Sequence, residues 1–80
     1  MGEGAKSGAD RRDWLLSYLP RLVRWGGLSA REREFCIALL GRRRRRPGFV
    51  PSARQEQWLD DLVARFREAE FAAVREARHV

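Results

Sequence analysis

The stretch Leu28-Ser29-Ala30-Arg31-Glu32-Arg33-Glu34-Phe35-Cys36-Ile37-Ala38-Leu39-Leu40-Gly41 says where a helix begins and which way it faces. In Ser29-Ala-Arg-Glu32 the serine and glutamate side chains can each accept a hydrogen bond from the other's orphan backbone amide, the capping box of a helix N-terminus. A helix therefore starts at Ala30. Phe35, Ala38 and Leu39, with Ile37 and Leu40, supply a wide apolar stripe, while Arg31, Arg33 and Glu34 keep the first turns wet. Gly41 is one stopping point, and the run Arg42-Arg43-Arg44-Arg45-Arg46 follows. Arginine is a good helix former, but a run of like charges repels itself, so the expectation is a helix over 30–44 with a frayed last turn.

Downstream, Pro47-Gly48 is a stop signal, and Phe49-Val50-Pro51 reads as an extended linker whose Phe and Val tuck onto the core. Ser52-Ala-Arg-Gln55 is a second capping box and opens the longest helix, 53–78. Along it Leu59, Leu62, Val63, Phe66, Ala69, Ala73 and Ala77 trace one face, with Trp58 beside it. At about 1.5 Å per residue this helix is nearly 40 Å long and outruns its partners. Phe71 and Val74 then fall where no intramolecular partner reaches. The connection from Gly41 to Ser52, about ten residues, is too long for the tight turn of a DNA-reading helix-turn-helix, so major-groove readout is not expected.

Upstream, Trp14, Leu15, Tyr18, Leu19, Leu22, Val23 and Trp25 recur at helical spacing, and a helix over 11–25 follows, with Asp10 as its cap. Pro20 denies a hydrogen bond to the carbonyl of Leu16 and kinks or splits this helix. Gly26-Gly27 ends it, and residues 1–9, rich in Gly and Ala, read as a flexible tail. With no β-alternation, the fold class is all-α: a small three-helix domain, 10–80, with a kinked first helix and a long C-terminal helix.

Composition narrows the function. The chain has 80 residues, 44% apolar and 35% charged, with a formal net charge of +6. It is one domain, too hydrophobic to be disordered and too short to enclose an elaborate active site. No uncharged stretch exceeds seven residues, far below the ~18–20 of a membrane-spanning helix. The N-terminus has no apolar signal region, so a cytoplasmic location is the default. The charge is local: residues 29–51 carry seven positive and two negative groups, whereas 52–80 carry five and six. Sixteen of the seventeen cations are arginine. Its planar fork suits phosphate and carboxylate, although a GC-rich genome also favours arginine over lysine. Codon bias does not explain the clustering.

Catalytic chemistry finds little support. Cys36 sits inside an apolar stripe as a small core residue, His79 is one position from the C-terminus, and Asp60-Asp61 point in different helical directions and make no metal pair. No cofactor, metal or small-molecule substrate is expected. The arginine run asks for a partner: five guanidinium groups beside a Pro-Gly break can release counterions from nucleic acid, DNA or RNA, or dock on an acidic protein surface. Arg31, Arg33 and Arg54 could extend the patch, and Phe49 could stack on an unpaired base.

Leu28-Ser29-Ala-Arg-Glu32-Arg-Glu-Phe35, a basic stretch, and Ser52-Ala-Arg-Gln55-Glu-Gln-Trp58-Leu59 together resemble a helix–loop–helix segment of small bacterial and phage-encoded proteins and of domains appended to nucleic-acid enzymes. The resemblance covers about half the chain. It implies nucleic-acid-associated or mobile-element biology. The arginine run and the lack of catalytic groups point to a non-enzymatic binding protein that contacts phosphates with little sequence specificity. Two alternatives stand beside this. One is a phage or mobile-element interaction module that inhibits or recruits a host complex, as inhibitors of nucleic-acid-guided defence systems do. Its interface would be Phe71, Val74 and the acidic stretch Glu68–Glu76, the face on which a homodimer would also form. The other is a membrane-surface helix over Trp14–Trp25.

Overall fold

The computed structural model describes residues 8–78, which form an all-α domain. His79 and most of the N-terminal tail lie outside the described residues. The first helix is bent by 28° into two segments, α1 (Gly8–Leu16) and α2 (Leu19–Arg24), followed by α3 (Ala30–Arg45) and the long α4 (Ala53–Arg78). α1 begins earlier than expected, so Gly8 and Ala9 belong to the helix and Asp10 lies in its first turn.

The bend has the cause read from Pro20, displaced by half a turn. Proline occupies the first turn of α2, where its missing N–H is no loss, and the break falls at Ser17–Tyr18. There the Ser17 hydroxyl donates back to the Trp14 carbonyl at 2.5 Å, a bond that bends helices. Tyr18 keeps a right-handed helical conformation, so the chain is bent and does not reverse.

Both capping boxes form. Ser29 N–H donates to Glu32 Oε1 at 2.9 Å and Glu32 N–H to Ser29 Oγ at 3.2 Å. At Ser52 and Gln55 the corresponding distances are 2.9 and 3.1 Å.

The core joins Leu15, Leu16, Tyr18, Leu19, Leu22, Leu28, Cys36, Leu39, Leu59, Leu62, Val63 and Phe66. Phe66 anchors it through edge-on contacts with Tyr18 and Trp25, at ring-centre distances of 5.9 and 5.4 Å. Phe35 stacks on Trp58 at 4.1 Å and joins α3 to α4. Gly27 does more than end a helix: the Trp25 indole lies over it, and a Cβ there would collide with the ring.

As expected from its length, α4 outruns its partners: its stripe is buried only as far as Phe66, and Ala69, Ala73 and Ala77 are exposed, because the shorter helices end before reaching them. Three expectations need correction. On α3, Ile37 and Ala38 face solvent and the buried face narrows to Cys36 and Leu39. Val50 is exposed, and Pro51 takes the buried place in the linker. The arginine run is helical through Arg45, which shortens the connection to residues 46–52. Arginine's helix propensity and the draw of the unsatisfied C-terminal carbonyls on cations both favour this continuation. No helix among the described residues is long and apolar enough to cross a membrane.

Candidate nucleic-acid interface

Because the run is helical, its five arginines separate by direction. Arg42, Arg45 and Arg46 stand at i, i+3 and i+4, neighbours on one face. Arg43 turns toward α1, where its Nη1 lies 4.0 Å from Asp13 Oδ1. Arg44 is exposed on its own. The helix ends at Arg46, and a turn closed by Phe49 N–H donating to the Arg46 carbonyl at 2.8 Å brings Phe49 back beneath the arginines. Pro47 and Gly48 fill the middle of this turn, and Gly48 has no positive φ, which fits a type I geometry.

The result is a cleft of about 370 Å³ lined by Arg42, Arg45, Arg46 and Phe49. Phe49 is half-buried and packs against the core on one side. No carboxylate lines the cleft. Ion pairs among the described residues join Arg11 to Asp60, Arg12 to Glu56, Arg43 to Asp13 and Arg65 to Glu32, and none involves the three arginines of the cleft. Three guanidinium groups thus gather at one place, and no acid among the described residues pairs with them.

The remaining candidates lie elsewhere. Arg54 is exposed in the first turn of α4, after the linker that leaves the cleft. Arg31 and Arg33 stand at the opposite end of α3, some 14 Å or more along its axis from Arg42 at about 1.5 Å per residue. Arg33 is also committed: its Nε donates to the Val23 carbonyl at 3.3 Å and its Nη2 to the Trp25 carbonyl at 2.6 Å. These are carbonyls at the end of α2 with no helical donor, so Arg33 caps α2 from outside and takes no part in the patch.

Arg65 plays a comparable part. Its Nη1 donates to Glu32 Oε2 at 2.7 Å, and its Nη2 donates to the Gly27 carbonyl at 3.2 Å, clamping α4 to the turn before α3. The Arg65 hydrogen bond, then that from Ser29 N–H, holds the Glu32 carboxyl down from its ordinary 4.5 to about 2. Since the folded value lies below the unfolded one, this stabilisation is present above about pH 4.5 and is lost as pH falls toward 2. In thermal melts across that range, Glu32→Gln is expected to be less stable than the parent at neutral pH, with the gap closing by about pH 2. A gap that stays constant with pH would show that the charge contributes nothing.

Cys36 is fully buried, and burial pushes its thiol up to about 11. It remains a neutral core group at physiological pH. Asp60 accepts from Arg11 at 2.6 Å, while Asp61 faces solvent. Of the apolar face over Trp14–Trp25, Leu15, Leu16, Leu19 and Leu22 are spent on the core. Trp14 is flanked by the guanidinium groups of Arg11 and Arg67 at 5.8 and 5.4 Å.

A second concavity, of about 400 Å³, lies beside the far half of α4 between Tyr18, Arg67, Glu70, Phe71 and Val74. Phe71 and Val74 are 59% and 53% exposed. The expected interface contains Phe71, Val74 and, within Glu68–Glu76, Glu70; Arg67 is an addition, and its i, i+3, i+4, i+7 spacing with Glu70, Phe71 and Val74 is the signal that marks it. No protein-family model, curated protein or solved structure matches this chain.

Proposed function

We propose that this protein is a small non-enzymatic binder of nucleic acid that grips phosphates through Arg42, Arg45 and Arg46. The observation that carries the reading is the cleft itself: three arginines on one helical face, no carboxylate among its lining residues, and an aromatic ring at its base. Like charges held together without a counter-charge make a local positive field, the condition for binding a polyanion and displacing its counterions. The C-terminal dipole of α3 opposes an anion with only about half a charge, which three guanidinium groups exceed. Nothing near the cleft is built to read base edges, so contacts are to phosphate and sequence preference is weak. The test is binding to DNA and RNA followed by fluorescence anisotropy as salt is varied. Affinity is expected to fall steeply as salt rises, and absence of binding at about 50 mM salt would overturn the reading.

A second reading rests on the groove at the far half of α4, where an apolar strip is flanked by Arg67 and Glu70. It suits an amphipathic segment of a protein partner, either a host complex or a second copy of this chain. Phe71→Glu or Val74→Glu is then expected to abolish the complex in a pull-down, or the dimer mass in light scattering, with helicity by circular dichroism unchanged. A complex that survives both substitutions removes this reading.

A further inference from the structure

Resting on the phosphate-binding reading, we propose that the cleft between the end of α3 and Phe49 takes one nucleotide of a single strand, its base against the Phe49 ring and its flanking phosphates on Arg42, Arg45 and Arg46. Volume is the first argument. About 370 Å³ is at the lower end of the sizes that hold small ligands, room for a nucleotide unit and not for a rigid helix of paired strands. Preorganisation is the second. Phe49 is fixed by its backbone bond to Arg46, by the core behind it and by the buried Pro51 that follows, so presenting its ring costs little ordering entropy. The arrangement is the third. One turn of helix sets Arg42 and Arg46 about 5–6 Å apart at Cβ, so two guanidinium groups can engage neighbouring phosphates while the ring lies between them and the linker.

An arginine patch alone would treat a duplex and a single strand by their charge. Adding an aromatic surface inside the patch changes that, because every base has a face to stack but a paired base hides it. A duplex could touch the rim arginines only from outside. Single-stranded DNA and RNA should both be accepted, since neither the arginines nor the ring reads the sugar.

The experiment is fluorescence anisotropy with the full chain and four labelled probes about 12 nucleotides long: oligo-dT, oligo-rU, an abasic strand of the same backbone charge, and a duplex. Oligo-dT and oligo-rU are expected to bind about 5- to 150-fold more tightly than the abasic strand, the range that stacking one base supplies. The duplex should gain nothing over the abasic strand at matched phosphate number. Phe49→Leu, checked for unchanged helicity, should bring oligo-dT down to the abasic level and leave the salt dependence intact. The abasic comparison uses the unaltered protein and stands even if that variant fails to fold. Equal binding of oligo-dT and the abasic strand would overturn the stacking proposal and leave phosphate binding in place. Failure of all four probes to bind would overturn both.

Discussion

Leu62→Ala is expected to cost about 2–5 kcal/mol of stability, the range for removing a fully buried leucine when its surroundings cannot collapse into the space. Leu62 has no solvent exposure and faces the core between Leu59 and Phe66 on α4. A chain of this size has only about 4–12 kcal/mol to lose, so the variant should be close to unfolded at 37 °C. Urea unfolding followed by circular dichroism checks this: the midpoint should fall with little change in slope. Ala73→Ser, on the exposed continuation of the same stripe, should stay within about 0.5 kcal/mol of the parent. A comparable cost at both positions would mean that the far half of α4 is covered by something.

Replacing Arg42, Arg45 and Arg46 together by glutamine is expected to abolish most nucleic-acid binding. Each phosphate contact contributes about 0.7 to the slope of log affinity against log salt for single strands. Losing three should flatten the slope by about 2 and weaken every sequence alike. Fold stability should change little, because relief of repulsion among three guanidinium groups is offset by the loss of cations from the C-terminal end of α3. Arg31→Gln, at the other end of α3, is the comparison that should leave the slope unchanged. If it flattens the slope as much as the triple variant, the contact surface is the length of α3 and not the cleft.

Much of the fold was legible because its signals are local. Each capping box needs only four consecutive residues, and both formed where serine and its partner stand three apart. The bounds of α4 and the bend near Pro20 followed from equally short-range chemistry. What escaped depends on distant partners. Helix lengths alone say that α4 outruns its partners; that burial stops at Phe66 depends on where the other helices end, which no periodicity records. Arg33 looked like one more cation beside the run, yet its role is decided by two carbonyls at the end of α2. Gly27 read as a terminator, and its reason for lacking a side chain is the indole of Trp25. For the site, the arginines and Phe49 were visible as residue types. Their sorting into one cleft was not, because it required the run to stay helical against its own repulsion.

The docking of α1 sets an order of assembly. α2 and α3 are joined by a short turn and can pair as soon as they form, whereas α1 is fastened to α4 by Arg11–Asp60 and Arg12–Glu56, contacts 49 and 44 residues apart in the chain. Closing a loop of that length carries an entropy cost that grows as the logarithm of its size and is met before any contact rewards it. On this ground the α2–α3 hairpin is expected to form first, α4 to pack across it, and the N-terminal segment before the Ser17–Tyr18 break to dock last, an order that pulse-labelled hydrogen exchange would check. By the same reasoning that segment should exchange its amides first in the folded protein.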